Sequence, residues 1–240
     1  MIVFPGTVYN YGPDTFPLLR ETDPQRPLTR KGRIRVEMER RLEASKVRVL
    51  ILRAGDFFGP HAGNSWFSQG LVKPCASLTQ IVYPGRHNVG HAWAYLPDFA
   101  ETIARLVARE AELPDFAAFH LRGHDFERGV EMAEAIRVAA GDPRLPIKHF
   151  PWAALPALSP FVRLFREMAE MRYLWTTDVR LDNAKLIAFL GAEPHTLLHT
   201  ALCETLIGLD CLSPQERPHD RRDHAYSVGE QPRRERAVLC

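Results

Sequence analysis

Four stretches hold side chains able to do chemistry. The first is Pro5-Gly6-Thr7-Val8-Tyr9-Asn10-Tyr11-Gly12. The Thr7 hydroxyl both donates and accepts, so it can position a substrate oxygen. A phenol titrates near ~10 and can be tuned toward neutrality, which makes Tyr9 and Tyr11 candidate acids. The alternative is that one of them packs while the other lines a pocket. The second stretch, Thr29 to Glu39, sets Thr29 and Arg33 one helical turn apart on one face, with Lys31 on the far side from Arg33. An aliphatic hydroxyl has no accessible anion and arginine keeps its proton, so this pair suits binding a ribose or phosphate, not proton transfer. The third is Arg53-Ala54-Gly55-Asp56-Phe57-Phe58-Gly59-Pro60, where Asp56 is an acceptor-only carboxylate that either faces a ligand or caps a turn. The fourth holds Asn64, Arg86 and His87, polar loop residues suited to a phosphate or a sugar hydroxyl. The four cysteines are scattered, and His120 and His124 have no ligand partners nearby in sequence, so no metal site is expected.

These residues need elements to hold them. Met1 to Phe4 is an apolar run too short for a helix and stops at Pro5-Gly6, as a buried strand does on entering a loop. Pro13, Pro17, Pro24 and Pro27 pace the loop that follows. A helix then runs to about Ala44-Ser45, with Ile34, Met38 and Leu42 marking its buried face. Val47 to Leu52 is a near-continuous aliphatic run, suited to a parallel strand covered on both faces. Trp66 to Val72 suggests a short helix, and Ile81-Val82-Tyr83 a short strand. Ala92 to Ala100 reads as a strand running into a helix, with Asp98 and Glu101 forming a capping box. Phe116 to Leu121 is a strand, and a helix from about Gly129 to Ala140 ends at Gly141. Phe161, Leu164, Phe165, Met168 and Met171 mark an amphipathic helix. Another begins at Asp182 and stops at Gly191, and a last one runs from Thr196 to about Leu209.

In this order the stretches resemble the extended short-chain dehydrogenase/reductase family, the NAD-dependent epimerases and dehydratases of nucleotide sugars. That family has a Ser or Thr four residues before Tyr-Gly, a Pro/Glu-rich loop, and Tyr-x-x-x-Lys opening a helix with Glu four residues on. Thr7 stands four before Tyr11-Gly12, and Thr29, Arg33 and Glu37 fall on the Tyr, Lys and Glu positions. Arg53 to Pro60, Trp93 to Ala100 and Asp182 to Pro194 resemble the later family motifs. The fold implied is α/β, the C-terminal part of a Rossmann-like doubly wound parallel sheet with a smaller mixed α/β substrate-binding lobe. Residues 1–60 would be a partial NAD(P)-binding domain, from the fifth strand onward. Residues 61–212 would be mainly the substrate lobe, with 92–121 returning to the Rossmann-like part and 213–240 a disordered charged tail. The resemblance implies NAD or NADP as cofactor, a nucleotide sugar or similar small molecule as substrate, oxidoreductase or isomerase chemistry, and a homodimer. It gives Thr7, Thr29 and Arg33 the catalytic positions, Tyr11, Arg33, Gly55 and Asp56 the cofactor side, and Asn64, Arg86 and His87 the substrate side. Thr29 and Arg33 depart from the family's Tyr and Lys, and no Gly-x-Gly-x-x-Gly or Gly-x-x-Gly-x-x-Gly occurs.

Three readings follow: an atypical epimerase/dehydratase-like enzyme, a non-catalytic binding or scaffold relative, and a product truncated at its start. At 240 residues there is ample length for a core. A net charge of +2 gives no electrostatic argument for nucleic acid or an anionic membrane. The cysteines read as reduced thiols, and no apolar run approaches membrane-spanning length, which points to a cytoplasmic protein.

Overall fold

The computed structural model describes residues 1–154 and 169–213. In chain order the elements are β1 (Ile2–Thr7), β2 (Leu18–Leu19), α1 (Arg30–Ala44), β3 (Val49–Ala54), β4 (Asp56–Phe58), β5 (Ile81–Tyr83), β6 (His91–Tyr95), α2 (Leu96–Ala108), β7 (Phe116–His120), β8 (His124–Phe126), α3 (Glu131–Ala139), β9 (Ile147–His149), β10 (Arg180–Leu181), α4 (Ala184–Leu190) and α5 (Leu198–Gly208).

Strand β3 is buried at every residue because it is the middle of a parallel sheet ordered β1-β3-β7. Its side chains alternate between two apolar layers, as a strand's period of two requires. Leu50 and Leu52 pack with Phe99, Leu106 and Phe119 on one face, while Val49 and Ile51 meet Phe4 and Leu42 on the other. On β1, Ile2 and Val3 are more than a third exposed, since nothing among the described residues pairs with its outer edge.

Helix α1 keeps only part of the expected apolar stripe: Leu42 packs on the sheet and Met38 is half-buried. Ile34 is 57% exposed, and the buried positions are Gly32 and Glu39. The cause is polar and steric. Gly32 lies so close to the Tyr9 carbonyl that a Cβ there would stand 2.2 Å from the oxygen, and Glu39 turns inward to meet Arg53. Helix α2 also starts differently from the expected capping box. Its N-cap is Tyr95, and Asp98 accepts instead from Thr196, through both N–H and hydroxyl at 2.7 Å, while Glu101 pairs with Arg105.

The second layer is a sheet ordered β4-β6-β8, in which β6 runs parallel to β4 and antiparallel to β8. Short parallel pairs, β5 with β9 and β10 with β2, complete the lobe. A turn of π-helix at Phe67–Leu71 packs into its core beside Phe58, Trp93, Ile136 and Leu206. The chain's tryptophans gather here: Trp175 lies 5.2 Å from Trp66 and 5.8 Å from Trp93 between ring centroids, and Trp152 lies 6.0 Å from Trp66. Among the described residues no helix is long and apolar enough to cross a membrane. The apolar positions Phe161 to Met168 and the tail beyond 213 lie outside the described residues.

Candidate functional site

The register of β1 against β3 sets Gly6 beside Arg53 and Thr7 beside Ala54, so the two loops with chemical potential leave neighbouring strand tips together. Below the tips is a sealed network. Arg53 is 2% exposed and grips Glu39 at 2.5 and 3.2 Å, and it donates to the Tyr11 hydroxyl at 2.9 Å. Asn10 and Gln25 donate to the same carboxylate at 2.7 and 3.1 Å. Tyr11 is fully buried, with its hydroxyl 2.8 Å from His120 Nε2, and the other ring nitrogen meets the Leu19 carbonyl at 3.2 Å. Burial first, then the Arg53 charge, lower the His120 pKa to about 3, so its ring is neutral and Nε2 accepts from the phenol.

Above the tips a cleft of about 610 Å³ opens between β1, α1 and the loop after β4. Such crevices at the carboxyl ends of parallel strands are where ligands bind in open α/β sheets. Thr7 lines it from the end of β1 and Tyr9 from the turn that follows, Asp56 from the start of β4, Asn64 from the loop after it, and Lys31 and Arg35 from α1. Tyr9 donates to Asp56 Oδ1 at 3.4 Å, and His91 Nε2 meets Oδ2 at 2.8 Å. The His91 ring stacks on Trp175 with centroids 4.0 Å apart and planes 10° from parallel, which fixes the carboxylate's inner partner. Desolvation first, then the Asp56 charge, hold the Tyr9 phenol well above its ordinary pKa. Tyr9 is therefore a proton donor in hydrogen bonds and not a base. The Thr7 oxygen accepts from the Tyr9 N–H at 3.3 Å, which leaves its proton for a ligand.

The structure sorts the other expected residues. Thr29 is the N-cap of α1, its oxygen accepting from Gly32 N–H at 3.0 Å, and at 6% exposure it does not reach the cleft. Glu170 accepts from the N–H groups of Arg30 and Lys31, so that helix start is already occupied by an anion. Arg33 is exposed and donates to the Leu28 carbonyl at 3.1 Å, away from the cleft. Tyr11 is withdrawn from the cofactor side by its burial. Gly55 and Asp56 line the cleft, whereas Arg86 and His87 sit on an exposed turn after β5, where His87 stacks on His149. The expectation had the helix in the wrong rotation. Lys31 and Arg35 stand four residues apart and share the cleft face, and that spacing was the available signal. His91 opens a strand and carried no sequence signal. His124 has no ligand partners nearby in sequence, but the fold brings it two: Asp98 and His195 each bring a donor atom, and the three atoms lie within 4.8 Å of one another.

No family model and no curated protein matches the sequence. Solved structures do. A UDP-glucose 4-epimerase from Stenotrophomonas maltophila, with bound NAD and formylated UDP-arabinopyranose, is 16% identical at a TM-score of 0.64, over 92% of this chain and 64% of that one. MoeE5 in complex with UDP-glucose and NAD is 16% identical at 0.63, over 86% and 63%. RMD from Pseudomonas aeruginosa, complexed with NADPH, is 16% identical at 0.58, over 87% and 65%. At this identity the likeness is one of fold: the chain has the Rossmann-like α/β fold of these proteins and spans under two thirds of their length.

Proposed function

We propose that this chain is the ligand-holding part of an NAD(P)-dependent epimerase/dehydratase-like protein, and that its cleft takes a nucleotide sugar or a similarly anionic sugar derivative. The observation that supports this best is the division of the cleft into a cationic wall, Lys31 and Arg35, and a hydroxyl-reading wall, Thr7, Tyr9, Asp56 and Asn64. Phosphate oxygens suit the first wall, and sugar hydroxyls suit the donors and the carboxylate of the second. The neighbours in fold that are solved with UDP-glucose or a UDP-pentose support the same ligand class.

The described residues do not fit a whole dinucleotide. The N-terminus of α1, the helix start beside the cleft, is capped by Thr29 and Glu170 and offers no cradle for a pyrophosphate. The residues in the family's Tyr and Lys positions are a helix cap and an outward arginine, which favours binding over tyrosine-dependent proton transfer as this chain's own role.

Calorimetric titration with UDP-glucose tests the reading. Saturable binding is expected, weakened about tenfold, or 1.4 kcal/mol, in the Lys31→Ala/Arg35→Ala double variant. Absent binding, or binding unchanged in that variant, removes the cleft from consideration.

A further inference from the structure

A second group of donors lies away from the cleft. Asp98 stands in the first turn of α2, His124 opens β8, and His195 lies in the segment between α4 and α5. The three are far apart in sequence, yet each offers a ligand atom within 4.8 Å of the others. The imidazoles of His124 and His195 lie 4.5 Å apart between centroids. His124 is 6% exposed, packed edge-on to Phe58, and its Nε2 is buried with no hydrogen-bond partner. Buried polar atoms without a partner are exceptions in folded proteins and call for a cause.

We propose that Asp98, His124 and His195 form a binding site for a divalent transition metal of the Zn²⁺ kind. Two imidazoles and one carboxylate are a donor set that first-row metals of intermediate softness take readily. With Zn–N bonds of about 2.0–2.1 Å, tetrahedral ligand atoms sit roughly 3.3 Å apart. Donors at most 4.8 Å apart therefore need to close by no more than about 1.5 Å. The exposed His195 is placed to make that movement, whereas His124 is fixed. The outer support is already in place. Thr196 donates its N–H to Asp98 Oδ2 and its hydroxyl to Oδ1, both at 2.7 Å, orienting the carboxylate while each oxygen keeps a lone pair.

The remaining coordination positions stay open. Asp125 and Glu193 are the carboxylates that line the adjoining cleft of about 550 Å³, as both histidines do; Asp125 pairs with Arg122 at 3.3 Å. Glu193 is committed elsewhere: it accepts from the N–H of Gly123 at 2.8 Å and of Arg122 at 3.0 Å, and from the Asn183 amide at 2.8 Å. A bound ion would then face the cleft with room for water or a small oxygen-donor ligand. It would also tie α2, β8 and the segment before α5 together.

The full chain, stripped of metal with a chelator and dialysed, is titrated with Zn²⁺ alone by calorimetry and with Co²⁺ by visible absorption. One ion per chain is expected, with a Co²⁺ spectrum of low-symmetry coordination. His195→Ala and Asp98→Asn should each weaken Zn²⁺ binding by about tenfold or more. Circular dichroism on the same samples checks that His195→Ala, a change at an exposed residue, leaves the fold intact. His149→Ala is the control, because the stacked His87–His149 pair is another place a metal could land. No saturable binding overturns the proposal. So does binding that survives unchanged in both site variants, or that disappears in His149→Ala instead.

Discussion

Two assemblies of a tyrosine, a carboxylate and a histidine stand on either side of the same strand tips. Tyr11 joins His120, and through Arg53 reaches Glu39, beneath the tips. Tyr9 joins Asp56, which holds His91, at the wall of the cleft. The chemical parts are alike and their surroundings are opposite. In the lower set each carboxylate oxygen of Glu39 already has two donors, and an arginine supplies the balancing charge within 3.2 Å. In the upper set Asp56 has only a long contact to Tyr9 and one to His91, and its neighbours line open space. Saturation and enclosure make the first a piece of architecture. Spare hydrogen-bonding capacity facing a cavity makes the second available to a ligand.

The contrast breaks most readily at Glu39. Glu39→Gln leaves Arg53 as a buried charge without its counterion, which should cost about 3–5 kcal/mol in urea unfolding. A loss below about 1 kcal/mol would mean the lower network is not what holds the strand tips together. The next effect is on pH. His120 has a folded pKa of about 3, below its ordinary value, so the unfolded chain takes the proton first as pH falls. Its contribution is therefore full above about pH 6.5 and is lost toward pH 3, at roughly 1.4 kcal/mol per pH unit. Buried His124, lowered to about 4 by desolvation and then by His195, adds a loss of the same sign in the same window. Unfolding free energies at pH 7 and pH 5 should thus differ by about 2 kcal/mol per histidine, and His120→Asn should flatten the slope. An unchanged slope in that variant would take His120 out of the network.

Thr29→Ala sharpens the comparison from the helix side. Loss of the cap on α1 should cost about 1 kcal/mol in stability, with ligand affinity per folded molecule unchanged. A fall in affinity larger than in stability would return Thr29 to the site. The smallest effect on stability is expected from Tyr9→Phe, within about 0.5 kcal/mol, because the ring remains and only a 3.4 Å contact goes. UDP-glucose affinity should nonetheless drop several-fold in calorimetry. If stability falls and affinity does not, Tyr9 belongs with the lower assembly.

The fold was largely readable because apolar runs of strand length carry their own signal. The run Val47 to Leu52 suited a doubly covered strand, which the structure has at Val49–Ala54, and the positive φ of Gly141 and Gly191 ends helices where glycine was expected to. Reading α1 failed for a physical reason. Its most buried positions are a glycine against a carbonyl and a glutamate against an arginine, so of the apolar series Ile34, Met38 and Leu42 only Leu42 packs on the sheet, Met38 is half-buried and Ile34 stands exposed. That rotation moved the cleft's cations from Arg33 to Lys31 and Arg35. His91 and the Asp98–His124–His195 group were invisible for another reason: their partners come from separate elements, and no local spacing announces a contact made only by packing.

The gathering of Trp66, Trp93, Trp152 and Trp175 makes the molecule optically one-sided. These are all the indoles in the chain, and the strands of the β1-β3-β7 sheet carry none of them. Tryptophan emission therefore follows the lobe that walls the cleft, while far-ultraviolet dichroism weighs every helix and strand. Where the two melting curves part, the gap between them gives the order in which sheet and lobe come undone.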